Sequence, residues 1–149
     1  MKLLTGATGA AGSLIAKEFV QAREPVRILV RDRAKASWLE QIPTIQVVEG
    51  DLSKPDTLGQ ALEGVERVLL ISGPTFQMVE AQATFIDAAK TAGVRHIVKF
   101  SGLDARPETR FPFGRMHKEI EDRLEASGLA WTHLRPTGFM QEYLPGTPA

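Results

Sequence analysis

The residues most suggestive of chemistry follow the first apolar run of the chain. Thr5 to Gly12 read TGATGAAG, with Gly6, Gly9 and Gly12 spaced by three and only alanine and threonine between them. Glycine in a helix interior costs about 1 kcal/mol relative to alanine, so helix propensity does not explain the run. Placed between a strand and a helix, it has a use. Gly6 permits a tight turn off the strand. Gly9 lets the backbone approach a pyrophosphate at the positive helix N-terminus, and Gly12 lets the helix lie close on the sheet. The spacing is Gly-x-x-Gly-x-x-Gly and not the commoner G-x-G-x-x-G, so the run does not decide the matter alone.

Further small or polar residues follow the other apolar runs: Arg31, Gly50-Asp51-Leu52, Ser72-Gly73-Pro74, Ser101-Gly102 and Arg135-Pro136-Thr137-Gly138. Any one suits an ordinary loop. In a doubly wound sheet they fall together at the carboxyl ends of the strands, where such folds bind ligands. Other groupings carry less. His96, His117 and His133 lack ligand spacing and the chain has no cysteine, so no metal site is expected. Ser101, Asp104 and His117 could form a hydrolase triad, but no G-x-S-x-G elbow is present. Arg106, Arg110 and Arg115 are read as a solvated loop, and Trp38 and Trp131 as packing residues.

These residues need a scaffold. Strands are expected at Met1–Thr5, Val26–Val30, Ile45–Val48, Arg67–Ile71, Arg95–Phe100 and Ala130–Leu134. Several are continuous in Val, Ile and Leu, the pattern of strands buried on both faces in a parallel sheet. Helices fill the intervals: Gly9 to Ala22, Ala34 to Gln41, one after Ser53 with Asp56 completing a variant capping box, Thr75 to Ala92, and Gly114 to Ser127. The fourth is expected to turn Phe76, Val79, Ala83 and Ile86 inward, and the fifth Met116, Ile120 and Leu124. The expected fold class is α/β, a Rossmann-type doubly wound parallel sheet of about six strands with helices on both faces.

Composition bounds the function. The 149 residues suit one domain, 43% of them are apolar and the formal net charge is zero. No broad basic surface points to nucleic acid or an anionic membrane. No apolar run reaches the roughly 20 residues of a membrane span. The opening MKLLTGATG enters a strand pattern at once, so no signal peptide is expected, and the lack of cysteine fits a cytoplasmic setting.

The segments TGATGAAG, VRILVRDRAKA, GDLSKPDTL, FIDAAKTAGVRHIVKFSGLDA and HKEIEDRLEASGLAWTHLRPTGFM cover nearly the whole chain. As a set they resemble the NmrA-like atypical short-chain dehydrogenase/reductases, a group of NAD(P)H-dependent quinone and azo-dye reductases and cofactor-sensing regulators. The resemblance implies one NAD(P)-binding Rossmann domain over residues 1–149. It implies dinucleotide contacts from Gly6, Thr8, Gly9, Ala10, Ala11, Arg31, Asp51, Leu52, Ser72, Gly73, Ser101 and the loop of Pro136, Thr137 and Phe139. His117, by family position, faces the mouth of the cleft as a cofactor contact and the one candidate catalytic residue. The chain departs from the wider superfamily, whose Tyr-x-x-x-Lys pair is replaced by Phe113 and His117. Tyr143, the only tyrosine, lies too near the C-terminus to serve. Full-length members continue into a substrate-binding region that is expected to be absent here.

Cofactor choice turns on Val30-Arg31-Asp32. Arg31 stands where NAD-specific domains keep an acid, so NADP(H) is expected ahead of NAD(H), with Asp32 one residue away as the complication. The expected reaction is hydride transfer to a small quinone-like acceptor. The alternative is a non-catalytic NAD(P) sensor, since the missing tyrosine fits both. Self-association is expected through strand six or the tail from Phe139 to Leu144.

Overall fold

Six short runs rich in branched residues form one parallel sheet. The computed structural model describes residues 1–139. The strands are β1 (Lys2–Thr5), β2 (Val26–Val30), β3 (Ile45–Glu49), β4 (Arg67–Leu70), β5 (His96–Phe100) and β6 (Ala130–Leu134). Their order is β3-β2-β1-β4-β5-β6, with every neighbouring pair parallel. The helices are α1 (Ala10–Gln21), α2 (Ser37–Glu40), α3 (Gly59–Leu62), α4 (Met78–Thr91) and α5 (Pro112–Ala126). This is the expected doubly wound Rossmann-like fold, and its order reverses between β1 and β4.

The pleat divides the strand residues between two apolar clusters. Leu3, Leu29, Val68 and Ile97 pack with side chains of α3, α4 and α5. Leu4, Ile28, Val30 and Val47 pack with those of α1 and α2 on the opposite face. β2 is buried along its whole length. Its one charged residue, Arg27, bonds the Gln46 side chain and the carbonyls of Gln60, Ala61 and Glu63. It thereby supplies donors at the C-terminal end of α3, where carbonyls lack helical partners.

Four details differ from expectation. α4 begins at Met78, and its inner face is Met78, Gln82, Phe85, Ile86 and Ala89. Phe76 precedes the helix and is 76% exposed. The register of the helix itself, and not the apolar pattern of the segment before it, sets the buried stripe. The helix expected after Ser53 is only a 3-10 turn at Pro55–Thr57 followed by four-residue α3. Ser53 caps nothing: the 3-10 turn begins after Lys54, and Ser53 instead donates its N–H and its hydroxyl to the Asp51 carboxylate. Trp38 and Trp131 are 44% and 45% exposed, so neither is a core residue. Finally, α5 starts two residues early, with Pro112 in its first turn.

Two close contacts fix the edge where the sheet order reverses. The Thr5 hydroxyl donates to the Ile71 carbonyl at 2.6 Å and accepts from the Ile71 N–H at 2.8 Å, tying β1 to the chain leaving β4. Gly6 turns with φ of +67°, and a Cβ on residue 12 would lie 2.0 Å from the Gly6 carbonyl oxygen. Helix α1 therefore rests directly on the turn that precedes it. Gly12→Ala should force these backbones apart and cost at least about 2 kcal/mol, as overpacking does elsewhere. Urea unfolding followed by circular dichroism measures this, and an unchanged midpoint would contradict the contact.

Candidate functional site: a cleft at the switch in strand order

A cleft of about 650 Å³ crosses the carboxyl ends of the strands, within the range of small-molecule sites. Every site residue expected from the sequence lines it, from the glycine run to the loop after β6.

At its centre, α1 points its N-terminus into the cleft. Gly9 is the N-cap in extended geometry, no side chain caps the helix and no acid sits in its first turn. A Cβ on Gly9 would meet only the Gly6 carbonyl, at an ordinary 3.4 Å. The fold does not need glycine there, so the space it leaves opens on the cleft. Uncapped N–H groups, a positive dipole end and an absent side chain form a cradle for phosphate. The residues present fit a dinucleotide.

Toward β2 and β3 the sequence alternatives separate. The Asp32 carboxylate accepts from the Ala34 N–H at 3.0 Å and caps a 3-10 turn, and Arg33 pairs with Glu40. Arg31 lines the cleft with no hydrogen-bonding partner among the described residues. The Asp51 carboxylate is held by Ser53 below its ordinary range, against an opposing effect of burial, with Arg31 and Lys54 adding smaller help.

Toward β5 and β6 the structure holds what sequence reasoning missed. Lys99 is fully buried in β5. Its ammonium lies 3.1 Å from His117 Nδ1 and donates to the Phe100 carbonyl at 3.2 Å. Burial pushes this amine down to about 8, against the opposing pull of Glu121. Burial and then the Lys99 charge push the His117 ring down to about 4, again with Glu121 opposing. At neutral pH the site thus holds a protonated lysine and a neutral imidazole. The Glu121 side chain is completely buried and accepts two hydrogen bonds from Arg135, at 2.9 and 2.5 Å. Burial alone would raise this carboxyl; Arg135 and the neighbouring polar groups bring it below its ordinary value. Ser101 Oγ approaches the same carboxylate but is buried without a well-aligned partner. The signal for Lys99 was present as a lysine inside the apolar run HIVKF.

Other expectations resolve plainly. Asp104 pairs with Arg106 and His117 Nδ1 faces Lys99, so Ser101, Asp104 and His117 form no triad. His96 bonds Thr132 across β5 and β6. His133 bonds Glu125 and lies near Glu121, a grouping with metal-ligand types, but Glu121 is already taken by Arg135. Ser72 is held by buried Gln82 at 2.7 Å. The loop after β6 is tied to the loop after β5 by the Leu103 N–H on the Pro136 carbonyl, and Phe139 stacks on Phe100. Phe113, in the tyrosine position, stacks on Phe76.

Residues 6–148 match the model of a family described as NAD(P)H-binding. The chain belongs to that family. Among curated relatives it is 40% identical to an NAD(P)H azoreductase of Xenophilus azovorans over 97% of its length and 50% of the relative's. It is 35% identical to quinone oxidoreductase 2 of Escherichia coli, over all of its length and 52% of the relative's. A photosystem II assembly factor of Cyanophora paradoxa is 33% identical, over 93% and 46%. Among solved structures, the NADPH complex of an Escherichia coli NADPH-dependent quinone oxidoreductase superposes with a TM-score of 0.85 at 35% identity, over 95% and 50%. The NADP(H) complex of Citrobacter triphenylmethane reductase gives 0.87 at 29%, over 97% and 52%. The chain spans about half the length of the relatives it matches. No helix among the described residues is long and apolar enough to cross a membrane.

The Glu121–Arg135 pair anchors the far wall of the cleft and makes a testable contribution. Arg135→Ala leaves a buried carboxylate uncompensated. The expected cost is about 2–3 kcal/mol, less than for a fully buried pair because Arg135 is partly exposed. A carboxyl held below its ordinary 4.5 stabilises the fold above that value and loses the effect as the pH falls through the lowered one. The difference between wild type and variant should be full at neutral pH and shrink as the pH falls from the variant's raised carboxyl pKa through the wild type's lowered one. Urea unfolding across that range checks it; a difference that ignores pH would contradict the assignment.

Proposed function

We propose that residues 1–149 are a single NADP(H)-binding domain and that the chain is the dinucleotide-binding domain of an oxidoreductase that passes hydride to a quinone-like acceptor. The observation that carries the reading is the combination, in one cleft, of an uncapped helix N-terminus with unpartnered Arg31. In this reading Gly6, Thr8, Gly9, Ala10, Ala11 and Gly12 hold the pyrophosphate. Arg31 takes the 2′-phosphate, Asp51 and Leu52 bound the adenine end, and Ser72, Gly73, Ser101 and His117 bound the nicotinamide end. Pro136, Thr137 and Phe139 support the ring.

When bound, the reduced dinucleotide supplies a hydride; the chain supplies placement. Phe113 cannot donate a proton, which disfavours simple ketones, whose reduction leaves a strongly basic alkoxide. A quinone leaves a hydroquinone anion, a much weaker base, and needs chiefly close contact between rings at about 3–3.5 Å. Neutral His117 suits this role as a hydrogen-bond donor to the anion. The relatives named as azo, quinone and triphenylmethane reductases support an extended aromatic acceptor. A second reading, a non-catalytic dinucleotide sensor, is supported by the relative named as an assembly factor. We propose in addition that the chain self-associates through the outer edge of β6, which carries half-exposed Trp131 and Leu134; residues 140–144 of the expected contact lie outside the described residues.

Two outcomes test the reading. Charge-assisted bonds from Arg31 to a phosphate contribute roughly 1.5–3 kcal/mol, so NADPH should bind about 10- to 150-fold more tightly than NADH. Arg31→Ala should remove that preference. Fluorescence titration measures both, and equal affinities in the wild-type chain would refute the assignment. In steady-state assays with NADPH, a small quinone should be turned over and an aliphatic ketone should not. Efficient ketone reduction would overturn the mechanism, and binding without turnover of any quinone would favour the sensor.

A further inference from the structure

A buried amine is an expensive group to keep, and Lys99 is the only lysine fully buried among the described residues. It forms no salt bridge among the described residues. Glu121, the charge nearest in effect, is engaged by both donor edges of Arg135. The partners of Lys99 Nζ are instead the Phe100 carbonyl and His117 Nδ1. An ammonium has only donors, so at the 3.1 Å contact Nδ1 must accept. The proton of the neutral ring then sits on Nε2. That nitrogen has no hydrogen-bonding partner among the described residues and is not sealed from solvent. The same edge of the ring lies against Gly102, where a Cβ would be 3.4 Å from Cδ2 and 3.8 Å from Nε2. Gly102 and His117 both line the cleft. The ring is therefore pinned on its inner side and presents a donor on its outer side.

We propose that Lys99 is the positioning residue of this site: its ammonium holds His117 as the neutral Nε2–H tautomer toward the cleft and resupplies the proton that this nitrogen gives up. The proposal rests on the quinone-reductase reading. With the dinucleotide bound, hydride transfer to the quinone would leave one quinone oxygen as an anion. That oxygen takes the Nε2 proton, and a proton of Lys99 passes to Nδ1. Lys99 ends as a neutral amine and His117 as the neutral Nδ1–H tautomer. A proton from solvent at Nε2, with return of the Nδ1 proton to Lys99, restores the starting state. The other titratable or charged groups acting on the pair are Glu121 on α5, Arg135 after β6 and His133 on β6, which act on Lys99 and His117 through or beside the Glu121 carboxylate. The lysine suits the relay because burial lowers its pKa to about 8, close to the working range.

The test is nitrogen-15 NMR of the imidazole in the whole chain, with Lys99→Met and Lys99→Gln as variants. In the wild type, Nδ1 should appear unprotonated and Nε2 protonated from pH 6 to pH 7.5, with His117 charging only near pH 4. Lys99→Met should mix the tautomers and raise the pH at which the ring charges. Lys99→Gln, which keeps an N–H donor but no transferable proton, should preserve the tautomer. In quinone turnover, both variants should lower kcat by about tenfold with KM unchanged, less than the 10²-fold or more of a full general acid because the anion is a weak base. The wild-type rate should fall above about pH 8 and the variants should lack that limb. A protonated Nδ1 in the wild type, or a tautomer that ignores Lys99→Met, overturns the inference whether or not any quinone reacts. A shared pH profile overturns the proton supply. A locked tautomer with no turnover overturns the proposed reaction and leaves the positioning role intact.

Discussion

Helix α1 starts so close to the turn before it that residue 12 has no room for even a methyl group, which would lie 2.0 Å from the Gly6 carbonyl oxygen. The rest of the cleft follows from that contact. It fixes the direction of the helix axis and therefore of its positive end. It places that end over the point where the strand order reverses, with Thr5 clamping β1 to Ile71 beneath it. Apolar packing on both faces supplies the stability, but a helix displaced by an extra carbon would aim its uncapped N–H groups elsewhere.

The opposite end of the cleft is built on a different principle. Between β5, α5 and the residues after β6 lies a polar group of Lys99, His117 and Glu121, closed on its outer side by half-exposed Arg135. Each charge there loses hydration on folding. Glu121 is compensated by Arg135, whereas Lys99 is compensated, among the described residues, by a carbonyl and an imidazole. Such an arrangement stabilises the fold less than apolar residues of similar volume would. Its position beside the cleft gives it a use in the proposed reading: to set which nitrogen of His117 carries a proton. On that reading the phosphate end would work by shape and backbone dipoles, and the reacting end by buried side-chain charge.

Much of this was legible in the sequence, for a physical reason. Strands buried on both faces must be continuously apolar, so VRILV and RVLL announced themselves, and glycine forced by close approach leaves a spacing that can be read. The cleft residues follow from topology, since every strand end meets on one edge. What could not be read depends on which neighbour claims a polar group. Ser53 beside Asp56 reads as a helix cap, yet the turn begins after Lys54 and Ser53 turns to Asp51. Asp32, one residue from the position of a ribose acceptor, complicates the reading of Arg31, and in the fold its carboxylate caps a turn. Phe76 has the right spacing for the inner face of α4, yet the helix begins two residues later. Lys99, in HIVKF, could have been snorkelling from an edge strand. Only the three-dimensional placement of α5 brings it to His117.

In the proposed reading, one cleft holds the dinucleotide with its phosphates on α1, its adenosine end at Arg31 and its nicotinamide end at His117. Amide NMR of the chain during titration with NADPH is the sharpest check. The largest shifts are expected at Gly9, Ala10, Ala11, Arg31, Ser101 and His117, saturating together at one binding constant. Shifts that miss the start of α1, or that leave Ser101 and His117 untouched at saturation, would contradict it.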